Sequence, residues 1–210
     1  TWDATGSVSN VKIEYKTSSG GAYSTIVAND GGHNLPGANS YVWTSVADEN
    51  SETCYIRVSD VNNYTDVFSV SAATFSIRPK INVTAPVLGT NIRVGSNNLN
   101  AIQWNMEGST KVTTVNVLYS TNGLAGPFDK TIATSVDATL GQVSWNGVAN
   151  DVSNNVVVRV VDANNSNVYG SSAAFNIVGS IAIQSPNGNE DWPVGGSRNI
   201  TWTKTGTVGN

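Results

Sequence analysis

Residues 54–63, CYIRVSDVNN, and residues 156–165, VVVRVVDANN, carry one pattern 102 positions apart, with Arg57 on Arg159 and Asp60 on Asp162. Each is an alternating apolar run closed by an Asp-x-Asn-Asn turn, the mark of a strand with one face in a core. Val156, Val158 and Val160 point inward while Val157, Arg159 and Val161 point outward, and the matching inward set in the first copy is Cys54, Ile56 and Val58. Further anchors fall in step on both sides. Trp2, Trp104 and Trp202 recur at separations of 102 and 98, and Trp43 aligns with Trp145. AATFSI (72–77) matches SAAFNI (172–177), and INVTAPVLG (81–89) matches IAIQSPNGN (181–189). A fixed period decides architecture before any local propensity is weighed, because each period is a unit that must build its own core.

The period places one whole unit at 80–178. Residues 1–79 read as a unit lacking its strand A and most of strand B, and 179–210 as strands A and B of a third. Within the whole unit the strands are expected at Lys80–Ala85 (A), Asn91–Val94, Ala101–Met106 (B), Thr113–Ser120 (C), Phe128–Ser135 (C′), Gly141–Asn146 (E), Asn155–Asp162 (F) and Ala173–Val178 (G). Asn122-Gly123, Asn146-Gly147 and Asn187-Gly188 supply the positive φ that tight connections require. The expected fold class is therefore all-β, as tandem immunoglobulin-like, Greek-key β-sandwich repeats. In strand C, Val115, Val117 and Tyr119 form a second inward row, matched by Val11, Ile13 and Tyr15. Trp2, Trp43, Trp104, Trp145 and Trp202 are expected in the cores. The junctions between units hold almost no linker, which predicts neighbours in fixed orientation. A start and stop inside units predicts an excerpt of a longer array, with strand exchange between identical subunits as the competing arrangement.

Composition narrows the function classes. Only 12% of the 210 residues are charged, about half the usual share of roughly 25%. With 11 basic residues against 15 acidic ones, the chain lacks the basic footprint of nucleic-acid binding and has no Lys/Arg cluster for an anionic membrane. No apolar run reaches the length of a membrane-spanning helix, so no membrane insertion is expected. Cys54 is the single cysteine, which excludes a disulfide framework.

The segment SPNGNEDWPVGGSRNITW (185–202) resembles the Ser/Thr-rich repeat family named for GPI-anchored fungal wall proteins, related to yeast cell-wall glucan-assembly proteins and widespread in large secreted bacterial and archaeal proteins. The matching positions are Ser185, Pro186, Asn187, Gly188, Glu190, Trp192, Gly195, Ile200 and Trp202. The whole unit departs from the pattern, with Ala85-Pro86-Val87-Leu88-Gly89 at its start and Ile92 in place of the tryptophan. The resemblance implies a β-sandwich module in an extracellular or cell-surface setting and no shared catalytic activity.

Candidate sites are sparse. His33, in DGGHNLPG, is the sole histidine, so neither a Ser/His/Asp set nor a Cys/His metal cluster can be assembled. No enzyme is expected, and no cofactor beyond structural calcium. The carboxylates and amides of Asp60, Asn62, Asn63 and Asp66, those of Asp162, Asn164 and Asn165, and the group Asp48, Glu49 and Glu52 are the candidates for that calcium. The competing reading is that Asp and Asn simply close turns on their own backbone. Trp192, Tyr23, Tyr55 and Tyr64 are the aromatics left for a sugar-stacking platform. Asn63, Asn82, Asn164 and Asn199 head glycosylation sequons. Lys12, Lys16, Lys111 and Lys130 fall on outward or loop positions, against an isopeptide cross-link. Two functions follow: a structural repeat of a fibre, stalk or surface filament, with neighbouring repeats or identical subunits as partners, or a non-catalytic binding module, an adhesin or carbohydrate-binding appendage with surface polysaccharide as its ligand.

Overall fold

The computed structural model describes residues 1–31, 37–107 and 110–208. His33 lies outside the described residues. The chain is all-β, with two short 3₁₀ turns and no α-helix among the described residues, and it divides into two compact units at Pro79/Lys80.

The first unit contains β1 (Trp2–Ala4), β2 (Asn10–Lys16), β3 (Ser24–Gly31), β4 (Gly37–Asn39), β5 (Ser51–Asp60), β6 (Phe68–Val70) and β7 (Phe75–Ile77). Its main sheet runs β3-β2-β5-β6, with β7 also on β5, and β1 pairs with β4 in a separate two-stranded sheet. The second unit contains β8 (Lys80–Ala85), β9 (Asn91–Arg93), β10 (Asn98–Glu107), β11 (Thr114–Ser120), β12 (Lys130–Asp137), β13 (Gln142–Trp145), β14 (Ser153–Asp162), β15 (Tyr169–Ser171), β16 (Phe175–Val178), β17 (Ser180–Ser185) and β18 (Thr201–Thr205). One of its sheets runs β12-β11-β14-β16-β9, with β15 on β14; the other runs β13-β10-β8; β17 and β18 form a hairpin. All pairings are antiparallel except β16 with β9.

Alternation within β14 and β11 explains the core. Val156, Val158 and Val160 are fully buried, as are Val115 and Val117, and from the other sheet Ile81, Ile102, Trp104 and Trp145 close over them. Trp145 lies 4.8 Å from the Tyr119 ring and 6.2 Å from that of Phe175, the latter edge to face, the offset geometry that aromatic quadrupoles favour. The indole N–H of Trp104 donates to the Ala138 carbonyl at 3.1 Å, so burial leaves no orphan donor there. The first unit repeats the ladder: β2 pairs with β5 from Val11 opposite Asp60 to Lys16 opposite Tyr55, as β11 pairs with β14 from Val115 opposite Asp162 to Ser120 opposite Val157. Tyr15 meets Trp43 at 5.1 Å, and Cys54 is fully buried as a core hydrophobe.

Several expectations need correction. Trp202 is 59% exposed, not buried: among the described residues β17 and β18 pair only with each other. Trp2 and Trp43 are half-buried; Trp2 forms part of a groove wall rather than a closed core. Val157 and Val161, on the outward side of β14, are buried too. Strand B begins at Asn98, C′ lies at Lys130–Asp137, and two short strands, β6 and β15, stand where none was expected; they are only three residues long, too short for alternation to reveal.

Trp104 and Trp145 each bury about 150–250 Å², an upper estimate of 4 to 6 kcal/mol at about 25 cal/mol per Å². Trp104→Ala or Trp145→Ala should cost about 3 to 5 kcal/mol, while Trp202→Ala, on an exposed face, should stay within about 0.5 kcal/mol. Urea denaturation of the full chain, read by hydrogen exchange at the amides of β14, measures both; a loss below about 1 kcal/mol at Trp145 would remove it from the core.

Candidate functional site

The outward faces of the two main sheets carry the same device. Arg159, on β14, lies over two rings, its guanidinium carbon 3.7 Å from the Phe128 centroid and 4.2 Å from that of Tyr169. Arg57, at the matching place on β5, lies 4.2 Å from Tyr23 and 5.9 Å from Phe68. Guanidinium groups stack in this way because they are planar and weakly hydrated. The Arg159 Nε is buried without a hydrogen-bond partner, so the ring faces are its principal surroundings. The sequence signal was an arginine recurring at one outward position of an otherwise apolar strand; its ring partners come from other segments, Phe128 and Tyr23 just ahead of β12 and β3, Tyr169 and Phe68 in β15 and β6, and could not be paired by spacing.

The two clamps differ in one respect. Glu14, beside Arg57 on β2, is buried and pairs with Arg57 and with Lys12, the latter at 2.6 Å. Burial pushes its carboxyl up, but the bonds and charges of Lys12 and Arg57 together outweigh this and hold it below the ordinary glutamate value. In the second unit Leu118, not a carboxylate, stands opposite Arg159. On the far side of that sheet, the Tyr119 hydroxyl donates to Asp151 at 2.6 Å and Lys130 adds a bond at 3.2 Å. Burial, and after it Asp151, raise the Tyr119 hydroxyl well above its usual range, while the Tyr119 bond is the main cause lowering Asp151.

The aromatics set aside for a sugar platform are largely engaged by cations. Lys16 Nζ sits 5.0 Å from Tyr23 and 5.2 Å from Tyr55, and Lys12 sits 6.0 Å from Tyr64. Trp192 belongs to the segment joining β17 to β18, in the second unit, whereas Tyr23, Tyr55 and Tyr64 belong to the first. The sequon residues Asn63, Asn82, Asn164 and Asn199 are all exposed.

The acidic turns close on their own backbone. Asp60 Oδ1 accepts the N–H of Asn62 at 2.7 Å, and Asp162 Oδ1 accepts that of Asn164 at 2.9 Å, the geometry of an Asx turn. Asp66 donates its N–H to the Asn63 carbonyl at 3.3 Å. Asp60 and Asp66 belong to one unit and Asp162 to the other. No group of three His, Cys, Asp or Glu side chains able to hold a metal occurs among the described residues.

A groove of about 700 Å³ lies in the first unit, where Trp2, Val11, Ile56 and Val58 share its lining with Asp3 and Asp60.

Two outcomes follow. Glu14→Leu copies the arrangement of the second unit and should cost less than about 1 kcal/mol, whereas Arg57→Leu leaves the buried carboxylate with Lys12 as its remaining ion-pair partner and should cost more, about 2 to 3 kcal/mol; urea denaturation of both variants tests the ordering, and equal costs would contradict it. EDTA should leave the melting temperature unchanged, because ligand release shifts stability only where a ligand is bound; a chelator-sensitive melt restored by Ca²⁺ would turn Asp60, Asp66 and Asp162 into metal ligands.

No family model matches the chain, and no curated protein matches it. Among solved structures it is similar to the fibronectin(III)-like modules of Clostridium thermocellum CbhA, at 14% identity and a TM-score of 0.30, over 84% of this chain and 80% of that one.

Proposed function

We propose that the chain is a non-catalytic structural segment of an extracellular or cell-surface protein, built of tandem immunoglobulin-like repeats of roughly 100 residues and belonging to a longer array that forms a fibre, stalk or surface filament. The observation that supports this best is the position-by-position correspondence of the two units. The β2–β5 and β11–β14 ladders share one register, Tyr15–Trp43 answers Tyr119–Trp145, and Arg57 answers Arg159 in its aromatic clamp. What recurs is packing. The turn-closing carboxylates Asp60 and Asp162 recur with it, each bonded to the backbone N–H two residues on.

The resemblance of residues 185–202 to the Ser/Thr-rich repeat family of fungal wall and large secreted microbial proteins supports the extracellular placement. So does the low charge of the chain, whose surface polarity rests on neutral Ser, Thr and Asn. The alternative of an adhesin or carbohydrate-binding appendage would draw on an open aromatic row. With Tyr23 and Tyr55 engaged by Lys16 and Arg57, the structural reading is preferred. The partners are then neighbouring repeats.

Denaturing electrophoresis of the native material tests the array. A polypeptide several times longer than 22.0 kDa is expected, released from intact cells by surface proteolysis. A single band near 22 kDa, or a product found only inside the cell, would sink the proposal.

A further inference from the structure

We infer that the outward face of the first unit's main sheet binds an acidic polysaccharide, with Lys12 and Lys16 pairing its carboxylates and Tyr23, Tyr55 and Tyr64 lying against its sugar rings. The outward positions of β2 and β5 carry Lys12, Lys16 and Arg57 against one carboxylate, Glu14. Glu14 is 3% exposed and already paired with Lys12 and Arg57, so it neutralises one of the three cations and leaves the face positive. That excess stands out in a chain of net charge −4 with only 11 Lys and Arg residues. Asp66 is in the turn that supplies Tyr64, and Asp60 lines the groove on the opposite side of the sheet.

The second unit shows that these residues are not needed to build the sheet. The β2–β5 and β11–β14 ladders share one register, so Asn116, Ser120 and Val157 stand where the first unit has Lys12, Lys16 and Tyr55. Only the arginine and its two flanking rings are common to both. What the first unit adds is a cation with a tyrosine at each end of β2. Lys16 Nζ sits over Tyr23 and Tyr55, with one of its three donors on the Ser19 carbonyl at 2.6 Å. Lys12 Nζ sits 6.0 Å from Tyr64, whose ring is 52% exposed. The two lysines are four residues apart, about 13 Å along the strand. Charges spaced in this way suit a polymer with repeated negative groups better than one small anion. A carboxylate that reaches either ammonium comes to rest beside a tyrosine, whose hydroxyl and ring edge meet the adjoining sugar. Nucleic acid fits less well, because bases stack on open ring faces and here cations already lie over Tyr23 and Tyr55.

Isothermal titration of the full chain with oligogalacturonate, in calcium-free buffer, tests this. Saturable binding is expected, falling more than about tenfold as the Debye length shrinks from about 10 Å to about 3 Å with added salt. A neutral cello-oligosaccharide should not bind. Lys16→Gln and Tyr64→Ala should each weaken binding about fivefold with melting temperatures matching the parent, since neither touches Glu14. Lys204→Gln removes the same charge from β18 and should bind as the parent does. Absence of binding, or binding that survives both Lys16→Gln and Tyr64→Ala, would overturn the inference. Equal affinity for the neutral sugar, or for single-stranded oligo-dT, would also overturn it, the first by removing the acidic requirement and the second by making the face a general polyanion site. Electrophoresis reads covalent length and the titration reads this face, so the array proposal and this one fail separately.

Discussion

The inward valine row of β14 has to be covered from the opposite sheet, and most of the architecture is a consequence of that requirement. Val156, Val158 and Val160 can leave water only if β8 and β10 lie over them, since a single sheet buries one face against nothing. Gly170 shows how close that cover comes, with the β8 backbone resting where a side chain would begin. Tyr119, Trp145 and Phe175 then fill the remaining width with three rings in contact, which is why the loss of one indole is expected to open a large cavity.

A chain with so few charges must keep the outer faces of its sheets soluble without a salt-bridge lattice. Its solution is to lay one arginine per unit between two rings, which hides hydrocarbon and leaves a cation at the surface. The first unit adds Glu14 beneath Arg57, and the second puts Leu118 in that place. A buried ion pair and an apolar residue are near-equivalent answers to one packing problem, because desolvation consumes most of the Coulomb gain. The difference between the units therefore carries no implication of a new chemistry.

Much of this was legible in the sequence where a pattern is local. The alternation in VVVRVVD located β14 and its faces, and the period located the matching β5. Asp60 and Asp162 were recognisable as turn-closing residues from their spacing to the next asparagines. What escaped depends on contacts distant in the chain. Phe128, just ahead of β12, and Tyr169, in β15, reach Arg159 from separate segments, and nothing in either marks a ring as a stacking partner. Trp202 was misplaced for a related reason: its sequence is that of a core strand, but exposure is decided by whether an opposing sheet is present, which a strand's own residues do not encode.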